Sequence, residues 1–324
     1  MNIRRIEAGD RRLWSDFVVS SNNGTIFHTP EFIDYHPEGR FNNHHLLIAE
    51  GSRSKVVAMI PGALAQRDDG IWFHSYPGAS YGGPVFQDEI GLRKIENMLD
   101  KLISYGRTNE WKGIEITLPP IIYYRHPHNY LEFALLKRGF GYAKRELTAV
   151  IDLSRLGGEL TQGFRSSAIR GVRKAQKNSV VVEENSDFSL FYPVLESNLQ
   201  QRHGVIPAHT LEELERLPKL VGKSNIRQFI AKKDGEVLGG MVMFNCNSRV
   251  TLAFYISHDQ EHQSLRPLNP VYLEVIRWAK MNGYHYLDLG TFTLQNEVNY
   301  GLCRFKESFS ARGVFRNTMS GIIS

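Results

Sequence analysis

Cysteine is scarce in this sequence, and long hydrophobic runs are missing. The 324 residues include two cysteines, Cys246 and Cys303, which excludes a disulfide framework and a cysteine-rich metal site. Such cysteine usage is typical of the reducing cytoplasm, where we expect the protein to work. No run of about 18 apolar residues occurs, so we expect no membrane span. We also expect no bound metal.

The motifs of several large enzyme classes are missing too. The sequence has no GxxxxGK[ST] phosphate loop, no GxGxxG after a strand, no GxSxG, no HExxH and no CxxC pair. These absences argue against the common NTPases, dinucleotide enzymes, α/β hydrolases, zinc proteases and zinc ribbons.

The bulk composition is that of a soluble globular protein with a mild positive charge. Hydrophobic residues make up 42% and charged residues 23%, and the formal net charge is +5. This charge is compatible with an anionic ligand without requiring one. The length exceeds what one hydrophobic core usually holds, so we expect two domains.

Two halves of the chain repeat one pattern of predicted elements, namely strand, turn, strand, helix, glycine and strand. The first half has strands at 44–50, 55–66 and 111–119 with a helix at 90–107, and the second has strands at 225–233, 237–245, 249–257 and 284–290 with a helix at 269–283. Hairpins followed by a helix and one further strand predict an α/β fold of the α+β type, with mixed, mostly antiparallel sheets. The helix at 269–283 has the clearest boundary signals, with Asn269 as N-cap, Pro270 at the first position and Gly283 as the stop.

The segment 161–182 carries five cations and no acid. Helical spacing places four of the cations in an arc of about 100°, opposite an apolar stripe. A solvated helix face usually mixes signs, so this segment predicts an amphipathic helix that faces an anion such as a phosphate, a nucleotide or an RNA backbone. An ordinary solvated face remains the alternative. The four cations of the arc are Arg170, Arg173, Lys174 and Lys177.

Other candidate site residues rest on weaker patterns. Arg202 and His203 end a predicted helix before Gly204, where they cap the helix or contact a substrate. Asp288 closes the strand "YLDLG" either as a ligand contact or as a structural carboxylate. The loop 76–86, rich in glycine, proline and tyrosine, is a candidate pocket wall through Tyr81 and Gly82.

The segment "GLCRFKESF" (301–309) alternates cations with aromatic residues. We expect Phe305 and Phe309 to enter the core, so that the segment returns into the sheet and presents Lys306 inward. A lysine positioned in this way could stabilise a phosphate or a developing oxyanion. A surface lysine is the alternative, and Arg304 with Phe305 could also join a nucleic-acid patch.

Several segments, taken in order, resemble the FemAB-like branch of the GNAT superfamily, which includes peptidoglycan-bridge aminoacyltransferases that use aminoacyl-tRNA. The resemblance spans about residues 10–315. It implies two tandem GNAT-like subdomains, which we place at 1–152 and 153–324, the second carrying the active site. It also implies that Lys306 stabilises the developing charge and that the cations of 165–177 face an anionic substrate. The segments are "FHTPEF" (27–32), "YPGASYGGPVF" (76–86), "FRSSAIRGVRKAQKNSVVV" (164–182), "RHGVIP" (202–207), "NPVYLEVIRWAKMNGYHYLDLG" (269–290) and "GLCRFKESF" (301–309).

The sequence departs from the family pattern in three places. Ser310 stands where the family often has glycine. The GNAT pyrophosphate loop [QR]-x-x-G-x-[GA] is absent, since "QSLRPLNP" (263–270) precedes the corresponding helix without a glycine. The long helical arm of some bridge-forming members is absent as well.

The resemblance therefore implies an N-acyltransferase that moves an acyl or aminoacyl group to an amine, with a cell-wall precursor or an envelope sugar as candidate acceptor. The donor is acyl-CoA or aminoacyl-tRNA, with no tightly bound cofactor. The expected partner is an anionic or nucleotide-linked small molecule, with tRNA as a further candidate. A non-catalytic GNAT-like scaffold and a nucleic-acid-binding module built on the helix 165–177 are the alternatives.

Overall fold

The computed structural model describes residues 1–51 and 55–324, and the side chains of all of these except Arg202 and His203. The chain forms two compact units. Unit 1 comprises Met1–Glu146 and Phe315–Ser324, and unit 2 comprises Leu147–Val314. The main segment of unit 1 thus ends before the expected boundary at 152, and the last residues group with unit 1 rather than with unit 2.

Unit 1 combines helices with two sheets. One sheet has the strand order β1-β3-β4-β7, and the other contains β17-β8-β6-β5-β2. All neighbouring strands with described pairing are antiparallel except β6 and β8. Its helices are α1 (Arg11–Ser20), α2 (Pro30–Ile33), α3 (Leu92–Thr108) and α4 (Tyr130–Lys137), and its strands are β1 (Asn2–Arg5), β2 (Asn42–Asn43), β3 (Leu46–Glu50), β4 (Lys55–Ile60), β5 (Ala63–Arg67), β6 (Gly70–Ser75), β7 (Val85–Phe86), β8 (Trp111–Thr117), the first part of β9 (Gly141–Asp152) and the last part of β17 (Arg312–Ile322).

Unit 2 is built on a sheet of order β10-β11-β12-β13-β14-β9, in which β13 and β14 are parallel and the other pairs antiparallel. Helix α8 packs its apolar face on this sheet because Val271, Val275, Ile276 and Ala279 recur at helical spacing and are buried. Its helices are α5 (Ser166–Lys177), α6 (Tyr192–His203), α7 (Leu211–Val221), α8 (Leu268–Met281) and α9 (Tyr300–Glu307), and its strands are β10 (Val181–Glu184), β11 (Ile226–Lys233), β12 (Glu236–Asn245), β13 (Val250–His258), β14 (Tyr286–Thr291), β15 (Thr293–Leu294) and β16 (Glu297–Val298).

Each unit is therefore a mixed, mostly antiparallel sheet arrangement flanked by helices, and the predicted fold class is confirmed. Every helix in the described part of the chain is too short or too polar to cross a membrane.

Three local predictions were wrong. The single strand expected at 55–66 is two strands, because the chain turns at Pro61 and Gly62. Asn269 does not cap α8; it is buried in the first turn, and its side-chain amide donates to the Ala168 carbonyl. The segment 301–309 does not return into the sheet, since its first seven residues belong to helix α9, whose N-cap Asn299 accepts the Leu302 N–H at 2.9 Å.

Candidate anion-binding site

A cavity of about 530 Å³ opens in unit 2 between α5, the turn that precedes α8, and α9. Each of the three elements contributes cationic or polar side chains to its wall. The lining residues are Arg165, Ser167, Arg170, Gly171, Lys174, Arg266, Asn269, Arg304, Phe305 and Ser308.

The cavity wall is strongly positive, because five of these ten residues are lysine or arginine and none is acidic. Within the described part of the chain, Arg170, Lys174, Arg266 and Arg304 have no ion pair or side-chain hydrogen bond. Arg165 pairs with Glu307 at 2.9 Å, and both side chains are partly exposed. An exposed pair of this kind contributes little to stability, so Arg165 can exchange Glu307 for a ligand at small cost.

Two helix beginnings add to the positive potential. Helix α5 starts at Ser166 and α8 starts at Leu268, next to the lining residues Ser167 and Asn269. The N-terminal turn of a helix presents unpaired N–H groups and the positive end of the dipole, which together favour phosphate or carboxylate. The cavity thus combines guanidinium groups, an ammonium group and helix N-termini, which is the chemistry of a phosphate site.

The close approach of α5 to α8 depends on Gly171. A Cβ at this position would lie 2.2 Å from Asn269 Nδ2 and 2.5 Å from Asn269 Cγ. The missing side chain lets the buried Asn269 amide reach the Ala168 carbonyl at 3.5 Å. The backbone of α5 is therefore held against the first turn of α8, and this contact forms the floor of the cavity.

Lys306 lies on a different side of α9 from the cavity. Successive helix residues turn by about 100°, so the cavity residues Arg304, Phe305 and Ser308 share one side and Lys306 leaves on another. The Lys306 side chain is only 3% exposed. Its Nζ donates to the carbonyl oxygens of Gly290 at 2.9 Å and Thr291 at 3.0 Å. Burial lowers the pKa of Lys306 to about 8, although the charge of Asp288 opposes this shift.

Asp288 braces the backbone that receives Lys306. Its Oδ1 accepts the Gly290 N–H at 2.9 Å and the Thr148 hydroxyl, and the side chain is completely buried. The pairing of β14 is irregular between Asp288 and Thr291, and Gly290 has φ +74°, a left-handed conformation that favours glycine. This bulge turns the Gly290 and Thr291 carbonyls toward the Lys306 ammonium. Asp288 is well placed to be a structural carboxylate.

Tyr81 and Gly82 belong to the interior packing of unit 1. The Tyr81 ring is 1% exposed, lies 4.9 Å from the Tyr123 ring and is covered by the Arg316 guanidinium at 4.8 Å. Gly82 donates its N–H to the Thr117 carbonyl at 2.8 Å, and a Cβ there would lie 2.6 Å from the Ser75 carbonyl. A role for either residue in substrate contact stays a prediction.

The structure brings three predicted site residues together at the cavity, namely Arg170, Lys174 and Arg304. Arg173 and Lys177 are exposed on helix α5 but do not line the cavity. Arg202 and His203 lie in the last turn of α6, and their side chains fall outside the described ones. Sequence reasoning missed several lining residues, among them Ser167, Arg266 and Asn269. The missed signal was their position at the starts of two helices, next to cations already selected.

A second cluster with metal-binding side chains does not fit a single ion well. Among the described residues, Glu236, Asp259 and His262 bring their side-chain ligand atoms within 4.8 Å of one another. His262 Nδ1 lies 3.0 Å from Asp259 Oδ2, whereas its Nε2 lies 4.0 Å from Glu236 Oε2. Because the carboxylates face different ring nitrogens, the arrangement fits an imidazole bridging two acids.

Comparison with known proteins agrees with this reading of the fold. Residues 162–307, which include every cavity-lining residue except Ser308, match the family model described as an acetyltransferase (GNAT) domain. No curated protein sequence matches the chain significantly. The candidate site thus lies in the part of the chain that is similar to GNAT domains.

Solved structures extend the likeness to the whole chain. FemX matches with a TM-score of 0.74 at 13% identity, over 99% of this chain and 97% of that one. A tandem GNAT protein from the clavulanic acid biosynthesis pathway matches with a TM-score of 0.57 at 12% identity, over 100% and 98%. L-PGS from Bacillus licheniformis matches with a TM-score of 0.56 at 10% identity, over 86% and 83%. The fold of the whole chain is thus shared with FemX and with a tandem GNAT protein, in agreement with the expected resemblance.

Proposed function

We propose that the protein transfers an acyl or aminoacyl group from a phosphate-bearing donor to an amine, and that the cavity of unit 2 holds the donor phosphates. The single observation that carries this proposal is the cavity wall, where four cations have no ion pair within the described residues. An empty wall of this charge costs electrostatic energy through repulsion among its cations, and a bound polyanion would remove that cost. CoA and the acceptor end of aminoacyl-tRNA are the donors of suitable charge.

The cations of the cavity wall would bind the phosphates in place of the glycine-rich loop that this sequence lacks. In a glycine-rich phosphate site the backbone N–H groups approach the ligand closely. Here the turn before α8 offers Arg266 instead, a residue with φ +60° that lines the cavity. Guanidinium groups bind phosphate with two parallel N–H donors, so they supply charge and geometry together.

Lys306 is the proposed group for stabilising charge during transfer. Two of its three ammonium N–H donors bind the carbonyls of Gly290 and Thr291, which fixes the position of Nζ and leaves one donor. When an amine attacks the acyl carbonyl, a C–N bond forms and the carbonyl oxygen becomes an oxyanion. The carbonyl then re-forms as the C–O or C–S bond to the donor breaks, and the proton lost by the amine goes to the leaving hydroxyl or thiol group. A fixed, dry ammonium near that oxygen would stabilise the oxyanion. An amine of a cell-wall precursor or envelope sugar is the first acceptor to test, because the chain resembles the peptidoglycan-bridge family.

Two pairs of substitutions on α5 test the donor site. Arg170→Gln with Lys174→Gln removes two charges that line the cavity, and Arg173→Gln with Lys177→Gln removes two that do not. Calorimetric titration with CoA, acetyl-CoA and inorganic pyrophosphate should show a loss of at least about 100-fold in affinity for the first pair, since each of the two charge-assisted contacts contributes about 1.5–3 kcal/mol. The second pair should weaken binding less than about threefold.

Equal losses for both pairs would contradict the cavity as the binding site and would favour a diffuse effect of charge along α5. Acyl transfer from the bound donor to a panel of amines, followed by mass spectrometry, then tests the reaction. Donor binding without transfer to any amine would support the scaffold alternative.

A nucleic-acid-binding module remains the second candidate, because Arg173 and Lys177 extend the basic face of α5 beyond the cavity. Binding of a tRNA acceptor minihelix would then weaken steeply with salt, by about 0.9 logarithmic units per logarithmic unit of salt for each phosphate contact on a duplex. Loss of minihelix binding in the Arg173 and Lys177 variant, with CoA binding intact, would favour this function.

A further inference from the structure

Ser310 has an unusual backbone for its residue type. Its φ is +71°, in the left-handed region that favours glycine, and it lies two residues beyond Ser308, the C-cap of α9. The family pattern named above often has glycine at this position. The side chain of Ser310 offers a structural reason for serine at this position.

The reason is a contact between the end of α9 and the segment before α5. The Ser310 hydroxyl donates a hydrogen bond to the Gly163 carbonyl. Gly163 itself has no room for a side chain, since a Cβ there would lie 2.9 Å from Ser310 Oγ and 3.1 Å from Leu156 Cδ2. The serine at 310 and the glycine at 163 therefore fit each other, and we call them the Ser310–Gly163 clasp.

Two further bonds join the same two segments at the cavity wall. The Arg165 backbone N–H donates to the Ser308 carbonyl at 2.8 Å. The Arg165 guanidinium donates to Glu307 Oε2 at 2.9 Å. Arg165 and Ser308 both line the cavity. The clasp thus lies two residues from a lining residue on each side, and it holds the start of α5 against the end of α9.

We propose that Ser310 is a positioning residue that sets the spacing of α5 and α9 and thereby the affinity of the cavity for phosphate groups. This inference rests on the proposed function. Without the hydroxyl, the segment 163–165 is held by fewer bonds, and the cations at the start of α5 lose their fixed distance from Arg304. The ligand class is a diphosphate or a larger polyanion, because the cavity wall carries cations from both helices and from the turn before α8.

Two substitutions separate the hydroxyl from the backbone strain. Ser310→Gly removes the hydroxyl and relieves the left-handed strain, whereas Ser310→Ala removes the hydroxyl and keeps the strain. Both should weaken binding of inorganic pyrophosphate and CoA by roughly three- to tenfold, as expected for one hydrogen bond. The melting temperature should be lower for Ser310→Ala than for Ser310→Gly.

Ser179 provides the matched control. It is an exposed serine with φ +60° just after α5, it does not line the cavity, and its side chain has no hydrogen bond within the described residues. Ser179→Gly and Ser179→Ala should reproduce the order of melting temperatures and leave pyrophosphate affinity unchanged. If the Ser310 variants behave like the Ser179 variants, the positioning role is overturned, and Ser310 merely adopts the left-handed backbone conformation.

Hydrogen exchange of backbone amides tests the Ser310–Gly163 clasp in the absence of a ligand. Amides in the first turn of α5 should exchange faster in Ser310→Gly than in the wild-type protein, because the turn has lost an anchor. Unchanged exchange there would overturn the inference independently of any binding result. If the wild-type protein binds neither pyrophosphate nor CoA, the proposed function is refuted. If the Arg170 and Lys174 variant loses pyrophosphate affinity but Ser310→Gly keeps it, only the positioning role of Ser310 is refuted.

Discussion

Unit 1 and unit 2 bury polar groups in different charge states. Unit 1 encloses the imidazoles of His28, His36 and His44, and burial lowers the pKa of each to about 4, so they are neutral near pH 7. Unit 2 encloses the Lys306 ammonium beside the Asp288 carboxylate, and four cations that have no ion pair among the described residues line its cavity. The interior of unit 1 therefore favours uncharged packing, whereas unit 2 keeps charges where an anion or a reacting carbonyl can use them.

The largest expected effect is that of low pH, which should destabilise unit 1. His28, His36, His44 and His45 have folded pKa values of about 4 against 6.5 when unfolded. Between these values the unfolded chain binds more protons than the folded one, so stability is full above pH 6.5 and is lost as pH falls toward 4. Each histidine contributes a slope of up to about 1.4 kcal/mol per pH unit.

Tryptophan fluorescence during urea unfolding measures this loss. Trp14, Trp72 and Trp111 lie in unit 1 and Trp278 lies in unit 2, so a Trp278→Phe background reports on unit 1 alone. His36→Phe, which keeps a ring among the Phe41 and Tyr76 rings, should remove one slope contribution. A midpoint that does not change between pH 7 and pH 5 would contradict the prediction.

Removing the buried ammonium should abolish most activity while leaving unit 2 folded. Lys306→Met is expected to lower kcat by about 10²–10³, the usual loss for one oxyanion donor. Stability should fall as well, because the buried Asp288 carboxylate and the Gly290 and Thr291 carbonyls lose their cationic partner. The measurement is steady-state acyl transfer together with a melting curve.

Lys280→Met is the matched control for this change. Lys280 also donates its ammonium to two backbone carbonyls, those of Leu156 and Gly157, and it lies in the same unit away from the cavity lining. The Lys280→Met variant should be less stable than the wild-type protein but should keep the wild-type rate of acyl transfer. Equal activity losses in both variants would show that Lys306 acts only through the fold.

Replacing one helical glycine in each unit allows a direct comparison of the two units. Gly171→Ala places a Cβ against Asn269, and Gly106→Ala in unit 1 places one 2.5 Å from Ile323 Cδ1 and 2.8 Å from Trp111 Cε3. Both should destabilise by about 1–3 kcal/mol through overpacking. Only Gly171→Ala should also weaken pyrophosphate binding, because Gly171 lines the cavity. Pyrophosphate titration and melting curves on both variants check this, and weaker binding in Gly106→Ala would contradict it.

The sequence was informative where the pattern is local. The charge and apolar spacing of 161–182 predicted helix α5, and the flanking aromatic residues predicted that Lys306 is buried. Local patterns also misled, because the alternation in 301–309 looked like a strand although the N-cap Asn299 was a helix signal.

Other features depend on tertiary packing, which residue spacing does not encode. Arg170 and Arg173 are equivalent on a helical wheel, and they differ only because α8 and α9 pack beside one edge of α5. Arg266 reaches the cavity through a left-handed backbone that its residue type does not predict. The Lys306 site likewise needs the β14 bulge, which becomes visible only in the strand register.

The smallest expected effect is a change in pH dependence that tests whether Asp288 acts through Lys306. The Asp288 charge raises the pKa of Lys306 against the effect of burial, which lowers it to about 8. Asp288→Asn keeps an oxygen that accepts from Gly290 and Thr148 but removes the charge, so the pKa of Lys306 should fall further. Activity that needs the ammonium would then be lost at a lower pH than in the wild-type protein, by under about one pH unit. Thr148→Val, which removes a hydrogen bond and keeps the charge, should leave the alkaline limb of the kcat/KM profile in place. An unmoved limb in Asp288→Asn would mean that Asp288 only shapes the bulge, and that the buried charge pair of unit 2 is structural, like the histidines of unit 1.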